Sequence, residues 1–231
     1  LEDRLLLTST GFDRLAALGW TKPPAPLAWP HRLTILRDAA SALVHLHAQQ
    51  PVLLHGDIKP SNILLDARGE ARLADFGLAR VAKQRAGTDA TVASVSAVCG
   101  TAAFLDPIYM NDGVATELTD GYAFGVTVLM ALTGLPAAGI KQRCRHMLRW
   151  PTQPQRWQPP GVPDVAAGSW DGGASSGLAE VVQGLSELWA EERMPLPDVL
   201  ARLEAMVVAA TASSSEAEAA EARVCIICEE A

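Results

Sequence analysis

One short stretch of the chain gathers side chains that can bind phosphate and a divalent cation. Asp57, Lys59 and Asn62 lie close together, and Asp75 follows them along the chain. A carboxylate can orient a hydroxyl or accept its proton, a lysine supplies a point positive charge, and amide and carboxylate oxygens suit Mg²⁺. Gly77 allows a sharp turn just after the second carboxylate. This set of a base, a cation and two oxygen donors suits phosphoryl transfer, in which positioning and charge stabilisation carry the catalysis.

Short apolar runs on both sides of these residues predict the strands that position them. Residues 52–55 and 63–66 flank the loop. After a turn at residues 66–69, a third run at residues 71–74 leads up to Asp75. The pattern indicates small strands that carry polar residues in their connecting loops.

Most of the chain outside this region is predicted to be helical. Apolar residues recur at three- and four-residue spacing from Trp29 onward, which predicts an amphipathic helix that ends before Pro51. Residues 122–133 are apolar on all sides and predict a helix in the centre of the fold. Two more amphipathic helices are predicted over residues 178–189 and 196–208. The expected fold class is α+β and mostly helical.

The polar loop resembles a known enzyme family. Residues 55–62 resemble the catalytic loop of protein kinases, H-x-D-x-K-x-x-N, and residues 75–77 resemble the D-F-G signature of that family. Further matches follow in the family's order: Gly100-Thr101 with Leu105-Asp106-Pro107, the segment Asp120–Gly125, and Arg193 with Pro195 and Val199. Residues 27–32 together with 100–107 resemble the Pelle and plant receptor-like group of Ser/Thr kinases. The resemblance extends over residues 1–208 and implies the large lobe of the kinase fold.

The same resemblance implies an activity and a set of catalytic residues. A protein serine/threonine kinase uses ATP and Mg²⁺ to phosphorylate Ser or Thr hydroxyls of a protein substrate. Asp57 then corresponds to the residue that orients the hydroxyl and accepts its proton, and Lys59 to the lysine beside the transferring phosphate. Asn62 and Asp75 correspond to the ligands of the Mg²⁺ ions that bridge the ATP phosphates.

Four more residues correspond to supporting positions of the family. His55 is expected to pack against the buried helix and the D-F-G segment, and Gly77 to complete the turn after the metal ligand. Thr101 corresponds to the threonine that supports the catalytic aspartate and the substrate site. Asp120 corresponds to the carboxylate that tethers the backbone of the catalytic loop.

The 231 residues contain neither a G-x-G-x-x-G loop nor a Val-Ala-Ile-Lys strand. In the family, these small-lobe elements cover the ATP phosphates and pair a lysine with a helix glutamate. The expected organisation is a large lobe over residues 1–208 with the small lobe missing, a linker over 209–223 for which partial helix stays open, and a truncated module over 224–231. We expect the isolated chain not to phosphorylate a peptide.

Two positions depart from the family pattern. Gly56 stands where many kinases have an arginine that binds a phosphorylated activation loop. Ile108 stands where the family has a glutamate paired with an arginine that corresponds to Arg193. The sequence therefore predicts that Arg193 needs another partner or stays hydrated.

The last residues suggest a second module. Cys225 and Cys228 have the spacing of two zinc ligands. The segment resembles the opening of a RING finger, and a kinase followed by a RING or U-box module occurs in plant-type proteins. The resemblance implies that the longer protein binds zinc there and contacts a ubiquitin-conjugating enzyme.

Composition limits the other classes of function. The net charge of −7 argues against nucleic acid as a partner, because phosphate binding needs a basic surface. No apolar run is long enough to span a membrane. Four cysteines are too few for a disulfide scaffold, so a cytoplasmic location, or the cytosolic side of a membrane receptor, is expected.

Two alternatives to an active kinase stay open. One is a pseudokinase-like scaffold, including one linked to a ubiquitin ligase, and the other is a truncated, inactive product.

Overall fold

The computed structural model describes residues 1–6, 9–19, 21–22, 24–84, 91–94, 97–144, 163–187 and 189–229, with backbone alone at 9, 10, 12, 141 and 214–229. The helices in these ranges are α1 (Glu2–Leu6), α2 (Ser9–Ala17), α3 (Trp29–His47), α4 (Pro107–Asp112), α5 (Glu117–Thr133), α6 (Ile140–Arg143), α7 (Gly172–Leu185) and α8 (Leu196–Glu229). The strands are β1 (Leu53–Leu54), β2 (Ile63–Leu65), β3 (Ala71–Leu73), β4 (Arg80–Val81), β5 (Lys83–Gln84), β6 (Thr91–Ser94) and β7 (Val114–Ala115). Long helices beside short strands confirm the predicted α+β, mostly helical class.

Helix α5 lies at the centre of the fold. Every residue from Asp120 to Thr133 is buried, as the apolar pattern predicts. A capping box between Thr116 and Thr119 begins the helix, and Gly134 ends it in the left-handed conformation at φ 63°. Helices α3 and α7 pack against α5, and α8 packs against α3. The large-lobe core is thus built around one buried helix.

Close contact between α5 and α7 depends on a glycine. A Cβ atom added at Gly125 would lie 2.9 Å from Cβ of Leu185. A side chain at this position would force the two helices apart, and interiors at crystal-like packing density have little room for such a shift.

The predicted strands flank the polar loop. Strands β2 and β3 form an antiparallel hairpin in which Ile63 faces Leu73. Its turn is fixed by Asp66, whose Oδ1 accepts hydrogen bonds from backbone N–H groups two and four residues ahead. Because the pairing is antiparallel, Asn62 before β2 and Asp75 after β3 lie at the same end of the hairpin. The two predicted metal ligands are therefore brought to one side by local pairing.

Helices near the C-terminus differ from their predicted bounds. Helix α7 begins at Gly172 because the carboxylate of Asp171 accepts a hydrogen bond from Ala174 N at 2.9 Å and caps it. Helix α8 continues through residues 209–223, the expected linker, to Glu229. The alanine- and glutamate-rich composition of that segment has high helix propensity, which explains the continuation. Neither α8 nor any other helix in the described ranges has the length and apolar character needed to cross a bilayer.

Candidate active site

Asp57 lies at the centre of a polar cluster in the loop between β1 and β2. Its Oδ1 accepts hydrogen bonds from the backbone N–H and the hydroxyl of Thr101, at 3.1 and 2.9 Å. Its Oδ2 accepts from Lys59 Nζ at 2.6 Å and from Asn62 Nδ2 at 3.2 Å. These donors fix the orientation of the carboxylate, whose side chain is 9% exposed. The structure thus brings together four residues that the sequence places in one site.

Hydrogen bonding also sets the protonation of this carboxylate. Burial by itself raises the pKa of Asp57. Hydrogen bonds from Lys59 and Thr101, together with the charge of Lys59, outweigh burial and lower the pKa below its usual value of 3.8. Asp57 is therefore ionised at neutral pH and able to accept a hydrogen bond.

Lys59 and Asn62 each make a second contact in the cluster. Lys59 Nζ also donates to the Thr101 hydroxyl at 2.8 Å, so its charge lies between a carboxylate and a hydroxyl. Asn62 Nδ2 also donates to the backbone oxygen of Asp57 at 2.8 Å. Because both amide contacts use Nδ2, Asn62 Oδ1 has no hydrogen-bond donor among the described residues and is available to a cation.

The carboxylate of Asp120 fixes the backbone of the same loop. Its Oδ2 accepts the backbone N–H of His55 at 2.8 Å, and its Oδ1 accepts that of Gly56 at 2.9 Å. Its Oδ2 also contacts Nε2 of His47 at 2.9 Å. Asp120 belongs to α5, so the loop is attached directly to the buried core of the lobe.

His47 is a site residue that sequence reasoning missed. Its ring is 8% exposed and lies against Asp120, which is 2% exposed. The sequence signal was a polar ring within the apolar stripe of α3. Helical spacing alone places such a residue in the core and does not identify the carboxylate that it contacts.

His55 connects the catalytic loop to the end of β3. Its Nδ1 accepts from the backbone N–H of Asp57 at 3.3 Å, and its Nε2 lies 3.1 Å from the carbonyl oxygen of Ala74. These two contacts together assign the neutral tautomer with the proton on Nε2. Its ring also packs against Phe76, with centroids 5.0 Å apart. His55 is fully buried.

The local structure explains why position 56 is a glycine. It adopts the left-handed region at φ 80°, and a Cβ atom added there would lie 2.8 Å from the carbonyl oxygen of Leu78. A larger residue would require both strained backbone and a shift of the segment after the D-F-G motif. The backbone conformation and the close contact with Leu78 therefore explain why this loop has glycine, rather than arginine, at position 56.

Asp75, Phe76 and Gly77 form a more open region. All three are exposed, and the carboxylate of Asp75 accepts one long hydrogen bond from Gly77 N at 3.4 Å. Asp75 has φ 63° and ψ 69°, and among the described residues no other non-glycine has a positive φ. Its carboxylate, like Asn62 Oδ1, is an oxygen donor without a cationic partner in the described part of the chain. Hard oxygen donors at one end of a hairpin fit Mg²⁺.

Arg193 has a buried carboxylate partner. Its guanidinium binds both oxygens of Asp106, at 2.6 and 2.9 Å, and both side chains are 2% exposed. Asp106 also caps α4 by accepting from Ile108 N at 3.0 Å. Of the two outcomes that the sequence left open, the structure shows a new partner for Arg193, because the residue before Pro107 supplies the carboxylate that position 108 lacks.

Burial and charge around this pair change the titration of Tyr122. The guanidinium of Arg193 lies 5.1 Å from the centre of the Tyr122 ring. Burial and the nearby charge of Asp106 raise the pKa of Tyr122 to about 12, although Arg193 opposes the shift. Tyr122 is therefore a neutral phenol at physiological pH and has an ordinary structural role.

The predicted zinc ligands fall outside the described side chains. Cys225 and Cys228 lie in the last part of α8, where only the backbone is described. Among the described side chains, no cluster of three His, Cys, Asp or Glu residues is arranged to bind a metal.

Comparison with known proteins gives the family. The protein kinase domain family matches residues 29–201. Interleukin-1 receptor-associated kinase 1 of Mus musculus is 45% identical over 117 residues, 49% of this chain and 16% of the relative. U-box domain-containing protein 70 of Oryza sativa subsp. japonica is 32% identical over 197 residues, 84% of this chain and 24% of the relative.

A larger share of a third relative is covered by its match to this chain. Salt tolerance receptor-like cytoplasmic kinase 1 of Oryza sativa subsp. japonica is 44% identical over 115 residues, 48% of this chain and 30% of the relative. The chain thus spans less than a third of each of these relatives. Because the family match covers most of this chain, the chain belongs to the protein kinase domain family, in the Pelle and plant receptor-like group.

Proposed function

We propose that the protein containing this chain is a serine/threonine kinase, which transfers the γ-phosphate of ATP to a Ser or Thr hydroxyl of a protein substrate. The observation that carries the proposal is the fixed carboxylate of Asp57. Donors from Lys59, Asn62 and Thr101 orient it, and Asp120 supports its loop. Family membership supports the same activity.

In this proposal, Asp57 orients the attacking hydroxyl. An ionised carboxylate with a lowered pKa accepts a hydrogen bond from the substrate O–H and directs the oxygen toward the γ-phosphorus. A bond forms between that oxygen and phosphorus, and the bond to the β–γ bridging oxygen breaks. The hydroxyl proton passes to Asp57. Because Asp57 is a weak base, it contributes to catalysis mainly by positioning the substrate hydroxyl.

Lys59 supplies positive charge beside the transferred group. Its ammonium lies 2.6 Å from Asp57 Oδ2 and 2.8 Å from the Thr101 hydroxyl. A lysine in this place stabilises the negative charge on phosphoryl oxygens as they move toward the substrate. A lysine at this offset is typical of Ser/Thr kinases rather than Tyr kinases, which supports the choice of substrate hydroxyl.

Asn62 and Asp75 are the proposed ligands for Mg²⁺. Asn62 offers Oδ1 because both amide contacts use Nδ2, and Asp75 offers an exposed carboxylate. When bound, Mg²⁺ supplies charge neutralisation for the ATP phosphates. The left-handed backbone of Asp75 is consistent with a functional constraint at this position, since strained residues concentrate at such sites.

A second candidate function is a binding module attached to a ubiquitin ligase. The names of two relatives that match this chain include a U-box domain, and one of those matches extends over 84% of the chain. In that case the lobe presents a protein substrate, and an adjoining module contacts a ubiquitin-conjugating enzyme. The proposal that Cys225 and Cys228 bind zinc in such a module rests on their C-x-x-C spacing alone. We further propose a cytoplasmic location, in line with the name of the receptor-like cytoplasmic kinase relative.

The two candidates are separated by replacing Asp57 in the protein at its natural length. The kinase proposal predicts that Asp57→Asn lowers phosphate transfer from labelled ATP to a serine peptide by about 10²–10⁴-fold. The matched control, Asp112→Asn, removes an exposed carboxylate at the end of α4 and leaves transfer unchanged. Absence of transfer by the folded wild-type protein would support the binding module instead.

A further inference from the structure

A separate cavity of about 240 Å³ lies on another part of the lobe. The C-terminal end of α3, the first turn of α5, the end of α7 and the start of α8 form its walls. The lining is mainly apolar and includes Val44, Leu118, Leu185, Met194 and Leu196. For scale, an engineered apolar cavity of about 150 Å³ binds benzene. The space found here opens to solvent and is large enough for a single-ring or fused-ring molecule.

Charged groups in the wall are already engaged. Arg193 uses its guanidinium on both oxygens of Asp106 and on the carbonyl oxygen of Glu187. Glu117 accepts a hydrogen bond from Thr91 at 2.9 Å. A charged ligand would have to displace one of these contacts, so the wall favours a neutral molecule.

One polar atom of the wall is available. His47 lines the cavity, its side chain is 8% exposed, and its Nε2 contacts Asp120. Within the described ranges, no group makes a hydrogen bond to His47 Nδ1. Nδ1 of His47 is not fully enclosed by protein, so a ligand hydroxyl can reach this atom and replace water there. A phenolic hydroxyl both donates and accepts, and it therefore suits either protonation state of the imidazole.

We propose that this cavity is a binding site for a small neutral aromatic molecule that carries one hydroxyl group. The ring fills the apolar space between α3, α5, α7 and α8, and the hydroxyl bonds His47 Nδ1. Because His47 contacts the carboxylate that accepts the backbone N–H groups of His55 and Gly56, the bound molecule is connected to the catalytic loop. Occupancy thus changes the environment of that loop from a site separate from Asp57.

The 231-residue chain can be tested directly with phenol and toluene as probes. We expect saturable binding of phenol in ligand-detected NMR, with a dissociation constant on the order of 1 mM for so small a molecule. Toluene, which lacks the hydroxyl, should bind at least threefold more weakly. Phenol should also shift the backbone amide signals of His55 and Gly56.

Two matched variants locate the site. Ala48→Phe places a ring at the exposed rim of the cavity and should weaken phenol binding at least tenfold. Ala201→Phe adds the same ring on the exposed face of α8 and should leave binding unchanged. Absence of saturable binding to the folded chain, or equal binding by both variants, would overturn the site. Binding that Ala48→Phe removes, but without shifts at His55 and Gly56, would overturn the connection to the loop.

Discussion

The catalytic loop and the D-F-G segment are neighbours with opposite physical characters. Asp57 is 9% exposed, and several donors fix both of its oxygens. Asp75 is exposed, and its carboxylate accepts one bond of 3.4 Å. The first is attached to the buried helix α5 through Asp120, whereas Phe76 beside the second is 46% exposed. The comparison indicates that contacts with the large-lobe core order the proposed catalytic carboxylate of Asp57, whereas the proposed metal ligand Asp75 lies open.

Buried carboxylates should account for the stability of the ordered region, and Asp106 should have the largest effect. Asp106→Ala leaves Arg193 buried without its ion-pair partner, which costs about 3–5 kcal/mol in the free energy of unfolding. Urea denaturation measures this change. Asp112→Ala, an exposed carboxylate in the same short helix, should change stability by no more than about 0.5 kcal/mol. Equal losses in both variants would contradict the assignment.

Asp120 should have the next largest effect. Asp120→Ala removes the acceptor of the His55 and Gly56 backbone N–H groups, and each unsatisfied buried group costs about 1–3 kcal/mol. Hydrogen exchange should accelerate at these two amides more than in the middle of α5. Unchanged exchange at both amides would show that Asp120 does not anchor the loop.

Acid should selectively remove the contribution of Asp57. Its pKa is lower in the folded state than its usual value of 3.8, so the folded protein binds this proton more weakly than the unfolded chain. The resulting stabilisation is fully present above the unfolded pKa and is lost as the pH falls through the folded pKa. The difference in unfolding free energy between wild type and Asp57→Asn should therefore be constant near neutral pH and shrink in acid. A difference that grows in acid would contradict the direction of the shift.

Asp75 should have the smallest effect on stability. Asp75→Asn keeps a residue that tolerates the left-handed conformation and removes an exposed charge, so unfolding should change by at most about 0.5 kcal/mol. Binding of Mn²⁺, used as a probe for Mg²⁺, should weaken in the same variant. A large loss of stability would place Asp75 in the ordered region and remove the contrast between the two segments.

Local patterns predicted where the polar loop, its flanking strands and the buried helix lie. The spacing from Asp57 to Asp75 identified the loop, and the flanking apolar runs identified β2 and β3, because both signals lie within a short stretch of chain. The all-apolar run at residues 122–133 identified the buried helix for the same reason.

Contacts between distant segments were not predictable in this way. Arg193 pairs with Asp106, 87 residues away, and His47 contacts Asp120, 73 residues away. Neither pair has a local periodicity or a motif spacing that would reveal it. The sequence left partial helix open for the segment after residue 208 but did not predict the full extent of α8, because a composition rich in Ala and Glu is typical of both linkers and helices.

Phosphate transfer to matched acceptor peptides tests the central claim most directly. The protein at its natural length is incubated with labelled ATP, Mg²⁺ and two peptides that differ only by serine or tyrosine at the acceptor position. The arrangement of Asp57 and Lys59 predicts label on the serine peptide, with little on the tyrosine peptide. Label on the tyrosine peptide alone, or no label on either from folded protein, would contradict the assignment as a serine/threonine kinase.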